Sequence, residues 1–223
     1  LAYAPYWEHC LGEDKAQVIF ELQDGRIIHS HQIHGTLNRL LAVTGDHFVL
    51  AKPEERVYAA QEMTAFYASW LHALPKPLLN PPTPHGLSGR WRHISEWLFL
   101  AAQVGLPTPK IQLGMDHLAL NSNYAQGRLY SEKEIDTMVL VVGSHILNST
   151  GGDTTIPMSI RQSCLQLSHI AKTPLLGLYF TIEEHYKWCF VGATPYPDLR
   201  KGGGAVLNAL AAELSGQREI EIP

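Results

Sequence analysis

Apolar residues recur every three to four positions in four stretches of the chain and alternate or cluster in short runs elsewhere. The first helical pattern covers Pro53–Leu74, where Ala59, Met63, Phe66, Trp70 and Ala73 form one stripe. Pro53 and the acids Glu54 and Glu55 suit the positive end of a helix dipole, and Pro75 ends the pattern. Further helices are predicted over Trp91–Val104, closed by Gly105 in the left-handed region, and over Pro157–Ala171. In the second of these, Ile156, Ile160, Cys164, Leu167 and Ala171 share a face. Gly203–Leu214 closes the chain with Val206, Leu207, Leu210 and Leu214. A shorter helix is expected over Thr36–Val43.

Period-two patterns and turn residues predict the strands. Gln17–Leu22 and Arg26–Ser30 flank Asp24-Gly25, read as a two-residue hairpin turn. His47–Leu50 and Leu78–Asn80 are short strand candidates, the latter leading into the proline loop Pro81–Pro84. Lys110–Leu113 is a further strand, and Met115–Tyr130 a loop or ill-defined strand. Thr137–Val142 and His145–Asn148 pair around Gly143-Ser144. Leu175–Ile182 and Tyr186–Val191 pair around Glu183-Glu184. The order is βα-like in the first half and helix plus antiparallel hairpins in the second. It predicts an α/β protein, α+β in its second half, in two lobes. Residues 1–107 and 108–223 are taken as those lobes.

Composition narrows the classes. At 223 residues, 45% apolar and 17% charged, the chain can bury a sizeable core. A net charge of −4 without basic runs gives no footprint for nucleic acid. No apolar run is long enough for a membrane span, and the first residues do not form a signal-peptide pattern. Cys10, Cys164 and Cys189 have no CxxC spacing and are read as reduced, buried thiols of a cytoplasmic protein.

Several short segments, in order, resemble one family. Asn38-Arg39-Leu40, the helix through Glu62 and Trp70, and Leu79-Asn80-Pro81 come first. Glu96-Trp97 through Ala101-Ala102 and Gly105-Leu-Pro-Thr-Pro109 follow. Asp136–Gly143, Ile156-Pro157 with its helix, Leu176–Thr181 and Lys187–Pro197 continue the series over most of residues 55–215. Together they resemble the ATP-grasp ligases, in particular the RimK-like and microviridin-type members, which join a carboxylate to an amine at the expense of ATP. The resemblance implies a two-lobed ATP-grasp-like fold whose first lobe precedes the nucleotide-binding region.

The same resemblance points to departures. The family's Glu-x-Asn pair, which holds Mg²⁺ on the ATP phosphates, falls on Gly192 and Thr194. Its strand arginine falls on Met138, and its upstream acidic ligand falls near Tyr179 or Thr181. Between Pro109 and Asp136 only Lys110 and Lys133 are available for the lid lysines, and there is little room for a glycine-rich lid. Mg²⁺ prefers octahedral oxygen ligands, which glycine cannot supply and a threonine hydroxyl supplies poorly. The expectation is a degenerate ATP-grasp-like protein with a truncated lid, non-catalytic, with no cofactor or metal. It would bind a small molecule, peptide or partner protein in the inter-lobe cleft, near Asn80, Met138, Gly192, Thr194, Arg200 and Lys201. A homo-oligomer is left open. The alternative is an active ATP-dependent carboxylate–amine ligase, using ATP and Mg²⁺, whose missing lid segment lies outside this sequence.

Other motifs compete less well. His29 and His31, two apart on a strand, share a face as some zinc ligands do, but no Cys or carboxylate accompanies them. Lys201-Gly-Gly-Gly204, with Arg200, could hold an anion at a helix start, against a linker capped by Asp198. Leu87-Ser88-Gly89 lacks the strand that a nucleophile elbow needs. Cys164 lies on an apolar helical face, which favours packing. Trp70, Trp91, Trp97 and Trp188 are expected in a core or lobe interface.

Overall fold

A computed structural model describes residues 4–12, 16–109, 135–149, 155–183 and 187–216. Two compact units appear, one of residues 1–90 with 211–223, the other of residues 91–210.

In the first unit, strands β1 (Trp7–Leu11), β2 (Ala16–Glu21) and β3 (Ile27–His29) form an antiparallel sheet in that order. The β2–β3 connection is a three-residue loop: Leu22 N–H donates to Arg26 O, and Gly25 has φ +81°. Only one positive-φ residue is therefore needed, at the glycine, where the sequence suggested a two-residue turn. Helix α1 (Pro53–Ala73) lies against this sheet, with Phe66 4.4 Å from Trp7 and Phe20 6.0 Å from Trp70, centroid to centroid. Its deepest residues, Tyr67 and Leu71, sit one position round from the predicted stripe.

Thr36–Val43 is not a helix. Thr36 and Leu37 form β4, parallel to β5 (Leu78–Leu79), with Thr36 opposite Leu78 and Leu37 opposite Leu79. Asn38 then anchors the chain: its Nδ2 donates to Asn80 O at 2.8 Å and Leu87 O at 2.6 Å, and its Oδ1 accepts Leu40 N–H. This is an asparagine offering the backbone an alternative to helix. His47–Leu50 is not a strand either. Gly45–His47 makes a 3-10 turn, and Arg56 donates to Val49 O and Ala51 O, so the carbonyls are held by a side chain.

The second unit is built on an antiparallel sheet of order β7-β6-β8-β9: β6 Thr137–Val142, β7 His145–Asn148, β8 Leu175–Glu183 and β9 Lys187–Thr194. β6 and β7 meet across Gly143-Ser144, with Gly143 at φ +58°. Every residue of β6 is buried, because both sheet faces are covered. On one face, helices α2 (Ile94–Gln103) and α3 (Met158–Ile170) pack Trp97, Ala101, Cys164 and Leu167 against Val139, Val141, Leu178, Phe180 and Phe190. Phe180 touches Trp188 and Phe190 edge-on at 5.2 and 5.8 Å. Helix α2 starts three residues later than expected, where the His93 ring accepts Ser95 N–H. Trp91 therefore lies outside it and is 65% exposed, unlike Trp97 and Trp188. The closing helix, α4 (Gly203–Ser215), begins in this unit and ends among residues grouped with the first. The fold is α/β with an α+β second half. Lys110–Leu113, Met115–Tyr130, the lid and its lysines Lys110 and Lys133 lie outside the described residues.

Candidate functional site

The sheet face of the second unit opposite α2 and α3 carries Met138 and Thr194, two of the residues singled out in the sequence. Alternation places Met138 and Leu140 together on it. Register sets Met138 opposite Tyr179, Gly177 opposite Thr194, and Tyr179 opposite Gly192. A β-bulge between Tyr179 and Phe180 interrupts this last pairing. At Gly177 the surroundings converge: a Cβ there would lie 2.8 Å from Pro197, 3.2 Å from Thr194 Cγ2 and 3.3 Å from Met138 Sδ. Further along, the site of a Cβ on Gly202 is taken by Val206, with Leu140 3.3 Å away. The Pro195–Pro197 turn and the first turn of α4 thus fold back over this face.

The chemistry offered there is apolar. Met138 is buried, and its backbone oxygen accepts both the N–H and the hydroxyl of Ser149. Gly192, next to the bulge, is buried against helix α2: a Cβ there would lie 3.4 Å from Ile94 Cδ1. Thr194 Oγ1 accepts Tyr196 N–H at 3.2 Å, capping the turn. The one carboxylate of the adjoining strand entry, Asp136, accepts Ile182 N–H. None of Met138, Tyr179, Gly192 or Thr194 offers the charged oxygens that Mg²⁺ selects, so these positions do not fit the metal of the family pattern. Among the described residues no three His, Cys, Asp or Glu side chains gather as a metal site.

Arg200 and Lys201 stand apart from that face, in an exposed 3-10 turn, Leu199–Gly202. Asp198 caps the turn through Arg200 N–H and holds the Arg200 guanidinium with two contacts of 2.9 Å. That side-chain pairing keeps the Asp198 carboxyl down at about 2. Arg200 is thereby committed to a local carboxylate. Asn80 belongs to the first unit, where it is fully buried with φ +58° and its carbonyl held by Asn38.

The competing motifs resolve individually. Ser88 is buried and donates to Asn38 O, which leaves it no role as a nucleophile. Burial pushes the Cys164 thiol up to about 12, so it packs as an inert apolar group. Strand β3 ends at His29, and His31 falls in a 3-10 turn, their rings 5.3 Å apart and tilted. Cys10, Cys164 and Cys189 form no disulfide, and of the three only Cys164 is buried, Cys10 being exposed and Cys189 half-buried.

One feature went unread in the sequence: a pocket of about 700 Å³ at the C-terminal end of α3. It is lined by Val104, Leu165, Ile170 and Pro174, with His169 and Lys172 among its polar groups. The available signal was Lys-Thr-Pro at a helix end, with no glycine where the chain must turn left-handed.

The architecture is that of the ATP-grasp ligases. Macrocyclase MdnC from Microcystis aeruginosa MRC, solved bound with precursor peptide MdnA, matches with a TM-score of 0.72 at 13% identity, covering 96% of this chain and 88% of that one. Macrocyclase MdnB from the same source gives 0.62 at 16% identity, with 94% and 82% covered. A RiPP-associated ATP-grasp ligase of Chryseobacterium gregarium, in complex with ADP and a leader and core peptide, gives 0.63 at 10% identity, with 97% and 86% covered. No protein-family model and no curated protein matches the chain. Among the described residues no helix is long and apolar enough to cross a membrane.

Proposed function

We propose that this protein is a non-catalytic ATP-grasp-like protein that binds peptide. The observation that carries the reading is the side-chain chemistry at Met138, Tyr179, Gly192 and Thr194. Phosphoryl transfer develops charge that must be met by metal and cations, and these side chains supply neither carboxylate nor carboxamide. The threonine hydroxyl is already used to cap its own turn. Structurally similar ligases solved with precursor peptides support a peptide, in preference to a metabolite, as the bound partner. No nucleotide or metal is required in this reading, and three cysteines outside any disulfide are compatible with a reducing, cytoplasmic setting. The active-ligase alternative draws its support from a similar protein solved with ADP.

Calorimetry with millimolar Mg·ATP separates the two. No saturable heat and no thermal shift are expected; a saturable isotherm sinks the non-catalytic reading. Selection on a display library of random peptides is expected to enrich binders. A selection that enriches none against this protein defeats the peptide reading.

A further inference from the structure

Helix α3 ends in a Schellman arrangement: Lys172 N–H donates to His169 O, and Thr173 N–H donates to Ser168 O. The residue after the cap in such an ending takes left-handed backbone, and glycine is the usual occupant because it has no Cβ to strain. Here it is Lys172, at φ +52°. Among the described residues the other non-glycine with positive φ is Asn80, a type that tolerates the conformation. Lysine has no such excuse, and strained backbone tends to persist where it serves a ligand.

The Lys172 side chain lines the apolar pocket formed by Val104, Leu165, Ile170 and Pro174. Two carbonyls of this helix end are met by side chains. Ala171 O accepts Arg92 Nη2 at 2.9 Å and the Thr173 hydroxyl at 3.0 Å, and Thr173 O accepts the Ser168 hydroxyl at 2.8 Å. The Lys172 ammonium, unlike its backbone N–H, has no hydrogen-bond or ion-pair partner among the described residues. The described lining residues include two basic side chains, His169 and Lys172, and no acid. An apolar hollow with an exposed lysine among its lining residues complements a group that is apolar at one end and anionic beside it.

We infer that this pocket is a peptide subsite that takes an aliphatic side chain flanked by a carboxylate, with Lys172 selecting the acid. The inference rests on the peptide-binding reading and adds the place and the sequence class. Strain at Lys172 is then retained for binding, so fold stability and affinity should oppose each other at this one position.

The probes are the capped peptides Ac-Ala-Glu-Leu-Glu-Ala-NH2 and Ac-Ala-Lys-Leu-Lys-Ala-NH2, titrated against the full chain by NMR. The acidic peptide should bind more tightly, weaken with salt, and shift the amides of Leu165, Ile170 and Lys172. Lys172→Gly should raise Tm while weakening that peptide about two- to fivefold, the size of one exposed charge contact. Lys172→Glu should weaken it by about tenfold or more, because attraction becomes repulsion. Equal binding of the two peptides, shifts confined to other surfaces, or unchanged affinity in Lys172→Glu overturns the subsite. Failure of both probes at millimolar concentration overturns it too. If library selection still yields peptides in any of these cases, peptide binding survives at another site.

Discussion

Gly177 and Pro197 approach so closely that a methyl group on residue 177 would stand 2.8 Å from the proline Cβ. The contact packs the proline turn against the sheet face that carries Met138 and Thr194. The proline ring cannot rotate away as a flexible side chain would, and Thr194 and Met138 close the other sides.

Gly177→Ala should therefore overpack this face and cost about 1–3 kcal/mol. For a chain of this size that lowers Tm by about 2–4 °C per kcal/mol. Calorimetric melting checks it; an unchanged Tm would mean that the proline turn yields easily.

Asn38→Ala should be among the more damaging changes in the first unit. It removes the donors to Asn80 O and Leu87 O, in a place where Asn38 itself is 3% exposed. Leaving buried carbonyls unpaired costs about 1–3 kcal/mol each. Denaturant titration should show a lower midpoint with unchanged slope. Asn38→Asp, which keeps the shape and loses the donors, should not rescue it.

Cys164 should resist thiol reagents under native conditions while exposed Cys10 reacts. Its folded-state value is raised to about 12 from 9, so the folded chain holds this proton longer than the unfolded one. Its contribution to stability is complete below pH 9 and declines as pH climbs from 9 toward 12. Mass spectrometry after brief alkylation tests the first part, and alkaline unfolding of Cys164→Ala beside the parent tests the second.

The Asp198 carboxyl should titrate near 2 in a carbon-detected NMR experiment, well below an unpaired aspartate. A depressed folded value means that its stabilising effect is present above pH 4 and fades as pH falls toward 2. Solvent screening keeps that effect small. Arg200→Gln should return the titration toward the ordinary range.

How far the sequence alone reached follows from what each element depends on. Helix α3 was legible because Ile160, Cys164 and Leu167 recur at helical spacing, and such spacing is a property of adjacent residues. The β6–β7 hairpin was legible for the same reason, since Gly143 supplies the turn within the segment it joins. Thr36–Val43 was misread because Thr36 and Leu37 obtain their strand partners from Leu78 and Leu79, some forty positions away. The same distance hid the role of Asn38.

That Met138, Gly192 and Thr194 carry no charged oxygen was determined by sequence and needed no coordinates. Tertiary structure alone decided that Pro197 closes over Gly177 and that Lys172 stands beside an apolar hollow. Identity is written along the chain, but burial and strain arise only when distant segments compete for the same space.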